Sequence, residues 1–287
     1  SPGNWVGSLS SISPEKGYWI IMSNSAEFCM EDVEPTDPVL EYNLHSGANL
    51  ISFPSPESAG VGDALPDNIE GAVSGVITEG GACSQIAQDT WVGSQCSFNG
   101  GRGYWMITTE SISFSFDLTI LARTKDFSPS GLTHPEGNVI LQSTRQAFYF
   151  IENVFLDGIP ISNGDWILSY NENNLVGARQ WNGDISDVPA MGQDDNIETD
   201  GYCNNGSVVT IKVQQNTTGK IYQVMDAIPA WKNNEIFNLG QLSAREMPDK
   251  LLLVSAYPNP FNPVTNITFG IENDGLVMVK VFDVTGR

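Results

Sequence analysis

Between Asp184 and Asp200 the chain places six carboxylates, those of Asp184, Asp187, Asp194, Asp195, Glu198 and Asp200, with Gly192 among them and Gly201 directly after. A hard cation wants several carboxylate and carbonyl oxygens on an adaptable loop, and calcium takes about six to eight of them. Asn196-Ile197-Glu198-Thr199-Asp200-Gly201 sets oxygen side chains at alternate positions ahead of a glycine. It departs from an EF-hand loop, because the first two ligand positions are Asn and Glu and the twelfth is Ser207. Two readings follow from the same residues: a calcium site, or a solvated loop whose Asp and Asn side chains close local turns.

A second set is aromatic and occurs twice. Asn4-Trp5-Val6-Gly7-Ser8 precedes Lys16-Gly17-Tyr18-Trp19-Ile20-Ile21, and Thr90-Trp91-Val92-Gly93-Ser94 precedes Arg102-Gly103-Tyr104-Trp105-Met106-Ile107, with an offset of 86 residues in both halves. Glycine ahead of an aromatic pair marks a bulge or a close backbone approach, after which the aromatics enter a strand. Turned outward, Trp5, Tyr18, Trp19, Trp91, Tyr104 and Trp105 form faces that suit a surface glycan. Turned inward, they are core. Coplanar solvent-facing rings favour the first reading and buried rings the second.

Catalytic residues are not legible. The histidines are His45 and His134, and neither a G-x-S-x-G elbow nor an H-E-x-x-H motif is present. A glycosidase needs two carboxylates at a set separation, which a sequence does not reveal. The four cysteines, Cys29, Cys83, Cys96 and Cys203, form no C-x-x-C pair, which argues against zinc and thioredoxin-type redox chemistry. Cys83 and Cys96, thirteen apart, are the candidate disulfide. Cys29 and Cys203 fit either a long-range bridge or two buried thiols.

The elements that must position these residues are strands. The 287 residues include 28 Gly and 16 Pro, with abundant Val, Ile, Thr and Ser, and no run holds a helical period. Expected strands at 146–150, 154–156, 166–170, 175–179, 208–213 and 220–222 recur with turns between them, as in a sandwich or barrel. The expected fold is all-β, tandem β-sandwich or Ig-like modules, with under about a tenth of residues helical. The expected division is a partial repeat module at 1–30, an acidic proline-stiffened linker at 31–38 and a full repeat module at 39–118. A sandwich module with the acidic loop follows at 119–246, and a further domain at 247–287.

Lys and Arg total 13 against 34 Asp and Glu, a formal charge of −21. Phosphate binding needs clustered cations, so neither nucleic acid nor an anionic membrane is an expected partner. No apolar run is long enough to span a bilayer.

Tyr257-Pro258-Asn259-Pro260-Phe261-Asn262-Pro263 excludes helix and reads as a rigid extended segment. Thr265, Ile267, Phe269 and Ile271, a turn at Glu272-Asn273-Asp274-Gly275, and Val277, Val279 and Val281 give a hairpin pattern with the apolar side chains, Phe261 included, inward. The string from Tyr257 through Phe261, Phe269 and Phe282 to Gly286 and Arg287 resembles the C-terminal sorting domain of type IX secretion cargo. The resemblance covers about the last 35 residues, and the family continues for several more strands. It implies recognition by the type IX export machinery and a location outside the cell or on the outer-membrane surface. The remaining modules are similar to those of surface proteins bearing this tail, which carry no assigned activity. Two functions compete: a non-catalytic structural or adhesive surface protein, with head-to-tail strand donation into a filament as its boldest form, or the carbohydrate-binding accessory region of a larger secreted hydrolase.

Overall fold

The computed structural model describes residues 7–22, 34, 36–121, 134–135, 139–247, 252–257 and 264–270. Strand accounts for 43% of the chain and helix for 5%, so the protein is all-β and within the expected ceiling on helix. Among the described residues the helical pieces are single turns, Val61–Ala64, Asp67–Glu70 and the 3-10 turn Ile197–Thr199.

Residues 40–118 build around a five-stranded antiparallel sheet in the order Gly47–Ser52, Gly103–Thr108, Val73–Thr78, Gly81–Ala87, Thr90–Val92. Strand side chains alternate between faces, and here both faces are buried. Tyr104, Met106, Val76 and Cys83 point into the module's own core with Phe53, Phe98, Phe114 and Phe116. Their neighbours Trp105, Ile107, Ile77 and Ala82 point the other way, into a second cluster shared with Phe148 and Phe150. The aromatic core is interlocked, with ring centroids of Tyr42, Phe53, Phe98, Tyr104, Phe114 and Phe116 between 4.9 and 5.5 Å apart. Cys83 and Cys96 are disulfide-bonded, with Cα atoms 4.9 Å apart.

Residues 139–247 form a sandwich. A three-stranded sheet in the order Ser186–Met191, Gln146–Ile151, Ile236–Asn238 faces a seven-stranded sheet that includes Val209–Gln214, Trp166–Asn171 and Asn174–Gln180. Gln146–Ile151 also divides its side chains by parity: Ala147, Tyr149 and Ile151 enter the sandwich core, while Phe148 and Phe150 enter the cluster shared with the repeat module. Every residue of this strand is buried. The five-, three- and seven-stranded sheets thus stack with apolar layers between them.

Two sequence expectations change. The stretch 184–200 is not one loop: Ser186–Met191 is a fully buried strand paired along Gln146–Ile151. Pro189 is tolerated there because this strand is the edge of its sheet, where a missing N–H breaks no ladder. Near the C-terminus, Asn266–Gly270 pairs antiparallel with Leu252–Tyr257, a strand outside those expected from the sequence. The proline run 258–263, the arm 277–281, Gly286 and Arg287 lie outside the described residues, as do Trp5, Cys29 and most of the linker.

The expected half-repeat lies against the full one. The Gly17 N–H donates to Leu50 O at 3.1 Å and the Ser52 N–H to Glu15 O at 3.3 Å, so residues 15–17 follow the outer edge of Gly47–Ser52. A Cβ on Gly17 would stand 2.6 Å from Ile51 O, the close approach that its place before the aromatics suggested.

Gly93 and its repeat counterpart Gly7 offer a paired test, since both hold positive φ, +133° and +142°. A Cβ on Gly93 would meet Ala82 O at 2.2 Å and Phe150 Cε1 at 3.0 Å, whereas one on Gly7 meets nothing within 4 Å. Gly93→Ala is expected to lower stability by about 3 kcal/mol and Gly7→Ala by about 1 kcal/mol, backbone strain alone. Urea denaturation of both variants checks this; equal losses would show that the Phe150 contact is slack.

Candidate functional site

The six carboxylates expected to gather on one loop are separated by the strand that runs through them. Among the described residues, no group of three or more His, Cys, Asp or Glu side chains is placed to hold a metal ion. Asp184, Asp195, Glu198 and Asp200 are exposed, and Asp200 accepts a hydrogen bond from Gln193 Nε2 at 3.1 Å.

Asp194 is occupied locally. Its carboxylate accepts from the Thr144 N–H at 2.9 Å, the Asn196 N–H at 3.0 Å and the hydroxyls of Ser143, Thr144 and Thr199. Partial burial pushes its pKa up, but these bonds outweigh burial and hold it at about 2. The side chain ties the 192–200 turn to the start of Gln146–Ile151.

Asp187 is buried where the two modules meet. Its carboxylate accepts from the Ala82 N–H at 2.9 Å, the Ser94 N–H at 3.2 Å and the Ser94 hydroxyl at 2.6 Å, all from the repeat module. Arg179, from the neighbouring strand Asn174–Gln180, pairs with it at 3.0 Å, and its Nη2 also donates to Gly80 O at 3.0 Å. Burial pushes the Asp187 carboxyl up, opposed first by Arg179 and then by Ser94 and Ala82. Four donors converge on two oxygens, an arrangement that suits the ionised form. Sequence reasoning chose Asp187 as a cation ligand; the cation it meets is the guanidinium of Arg179. Val92-Gly93-Ser94, half of the repeated motif, is the strap that grips this aspartate.

The repeat aromatics are placed as follows. Tyr104 is buried, and its hydroxyl accepts from the Asn99 N–H at 2.7 Å. Tyr18 makes the same bond to the Ser13 N–H at 2.8 Å, five residues back in both copies. Trp91 is half-buried and donates its indole N–H to Glu70. Trp19 and Trp105 are half-buried as well, and the indole nitrogens of both lack a partner. None of these five rings is an exposed platform. Between the copies lies a cleft of about 520 Å³ lined by Tyr18, Trp19, Leu50, Glu79, Asn99 and Arg102.

One feature escaped the sequence reading. Glu70 is buried beside an open acidic cleft of about 540 Å³ that also takes in Asp67 and Asp89. Burial pushes its carboxyl up, and Asp89 acts in the same direction. Only the fold brings residue 70 to residue 89, so no spacing rule signals the pair. The Cys203 thiol is free and buried, and burial pushes its pKa up to about 12. No helix among the described residues is long and apolar enough to cross a membrane. Comparison with protein-family profiles, with curated proteins and with solved structures finds no match for this chain.

Two outcomes follow. Asp187→Ala strands Arg179 and the N–H groups of Ala82 and Ser94, and is expected to cost about 3–5 kcal/mol. In urea the variant should unfold its two modules in separate steps, while Asp187→Leu combined with Arg179→Met recovers much of the loss. An unchanged single transition in Asp187→Ala would remove this carboxylate as the clamp. For Asp194 the folded pKa lies below the ordinary 3.8. Its stabilisation is therefore present above about pH 4 and lost as pH falls towards 2, an effect of roughly 1–2 kcal/mol. Asp194→Asn should flatten that part of the stability-against-pH curve.

Proposed function

We propose that this chain is a non-catalytic structural protein of the cell surface, exported by type IX secretion and built to hold rigidly docked β-modules outside the cell. The observation that carries the structural reading over a sugar-binding one is the fate of the repeated aromatics. Tyr104 fills a core, Tyr18 locks a turn, Trp91 is tied to Glu70, and Trp105 lies in the layer between modules. The motif residues Gly93 and Ser94 go to module docking. A repeat spent on joining modules suits a load-bearing extracellular part. The acidic surface supports the same reading, since a large net charge keeps a secreted protein soluble and dispersed. The route of export rests on the likeness of residues 257–287 to a sorting domain.

A carbohydrate-binding accessory role is the second reading. It is favoured by the cleft of about 520 Å³, whose size and mixture of rings with Glu79, Asn99 and Arg102 suit a small neutral saccharide.

In a bacterium equipped with type IX secretion, antibody labelling of intact cells should find the protein at the surface or in the medium. Removal of residues 247–287 should leave it inside the envelope. Surface display that survives this removal sinks the proposed route. Calorimetric titration with cellobiose, maltose and lactose separates the two roles: no heat at millimolar sugar is expected, and saturable binding abolished by Trp19→Ala would favour the second.

A further inference from the structure

The two repeat copies share a local shape and differ in what covers them. The Tyr18–Ser13 and Tyr104–Asn99 bonds are equivalent at the 86-residue offset, and Gly7 and Gly93 share their backbone conformation. In the second copy, Gly103–Thr108 is an inner strand, paired on one side with Gly47–Ser52 and on the other with Val73–Thr78. Its Met106 and Ile107 are 0% and 9% exposed, and Phe98 just before it is 0% exposed. The counterparts in the first copy, Ile20, Ile21 and Ile12, are 69%, 79% and 71% exposed. Among the described residues, 18–22 make no backbone hydrogen bond beyond the Gly17 contact with Leu50. An unpaired apolar edge of this kind is a pairing template that native proteins ordinarily cover.

The elements that cover the second copy are already committed. Gly47–Ser52 lies between Gly103–Thr108 and residues 15–17, and Phe148 and Phe150 are packed against Ile77 and Ile107. Charge indicates what remains. Residues 1–26 contain one acid, Glu15, and one base, Lys16, so the whole formal charge of −21 resides in the rest of the chain. Two copies of so acidic a protein repel least at stretches without net charge, and this edge is one of them.

We propose that residues 17–22 are a self-pairing edge, through which two copies join antiparallel about a two-fold axis. The same strand then serves as donor and acceptor, its free N–H and C=O groups are satisfied, and Ile20 and Ile21 are covered by their own counterparts. This rests on the reading of the chain as a structural part, and it concerns assembly alone. A monomer in solution would end the proposal without touching export or surface display.

The test uses the full chain in sedimentation velocity from about 1 to about 300 µM. A dimer is expected, tightening as added salt screens the acidic bodies. Ile20→Asp should weaken it at least tenfold by setting like charges across the axis. Ile197→Asp, at an exposed site elsewhere, should leave it unchanged. Because Ile20 is exposed, the variant does not threaten folding. Hydrogen exchange supplies a second reading: amides of residues 19–22 should gain protection as concentration rises. A monomer at about 300 µM, open-ended polymers, a dimer indifferent to Ile20→Asp, or exchange at 19–22 independent of concentration would each overturn it.

Discussion

The carboxylate of Asp187 is the group on which the joint between the modules depends. A buried charge is tolerable only when paired and fully hydrogen-bonded, and here the partners come from three directions. Arg179 is supplied by the adjacent strand of the same sandwich, Ala82 by the facing sheet and Ser94 by the repeat motif. If the sheets slid past one another, the charge would lose its donors while still excluded from water. Apolar contacts between Phe148, Phe150, Ile77 and Ile107 supply the area of the joint, but apolar contact is non-directional. The ion pair and its amides fix the register.

That joint explains why the central strands of the two facing sheets, one antiparallel and one mixed, carry almost no solvent face. Antiparallel sheets commonly bury one side and wet the other. Gly103–Thr108 and Gln146–Ile151 bury both, because each is the middle layer between its own core and the shared cluster. Glycine makes the approach possible: a Cβ on Gly75 would stand 2.4 Å from Ile236 Cδ1, and one on Gly93 would strike Ala82 O. Glycines that weaken a strand in isolation here let two modules touch.

Fold class was legible in the sequence because alternation and turn residues are local signals; the strands Trp166–Asn171 and Val209–Gln214 lie close to where period and flanking glycines place them. The pairing of Cys83 with Cys96 was legible from spacing within one module. The role of Asp187 was not. In the sequence it is one acid among six, and its partners Ala82 and Ser94 lie 105 and 93 residues away. Ser186–Met191 was hidden for a related reason, since a fully buried strand shows no alternation and Pro189 argues against a strand wherever its edge position is unknown. Likewise the aromatic repeat was plain as a pattern, while the direction each ring faces depends on which strands flank it.

The repeat shows how far local sequence determines local structure. The glycine before the aromatic pair, the tyrosine hydroxyl reaching back five residues and the positive φ in the strap all recur in both copies. These features are set within about 15 residues of chain, so identical residues give identical results whatever lies around them. Burial does not recur, because burial is a property of neighbours. Met106 and Ile107 acquire flanking strands and a facing sheet, while among the described residues Ile20 and Ile21 stay exposed beyond the edge of Gly47–Ser52. The two copies are therefore one motif in two environments, and the difference between them is a measure of what the first copy lacks. In so acidic a protein, a stretch without net charge such as this one meets least repulsion from another neutral strand, and the nearest one in kind is its own.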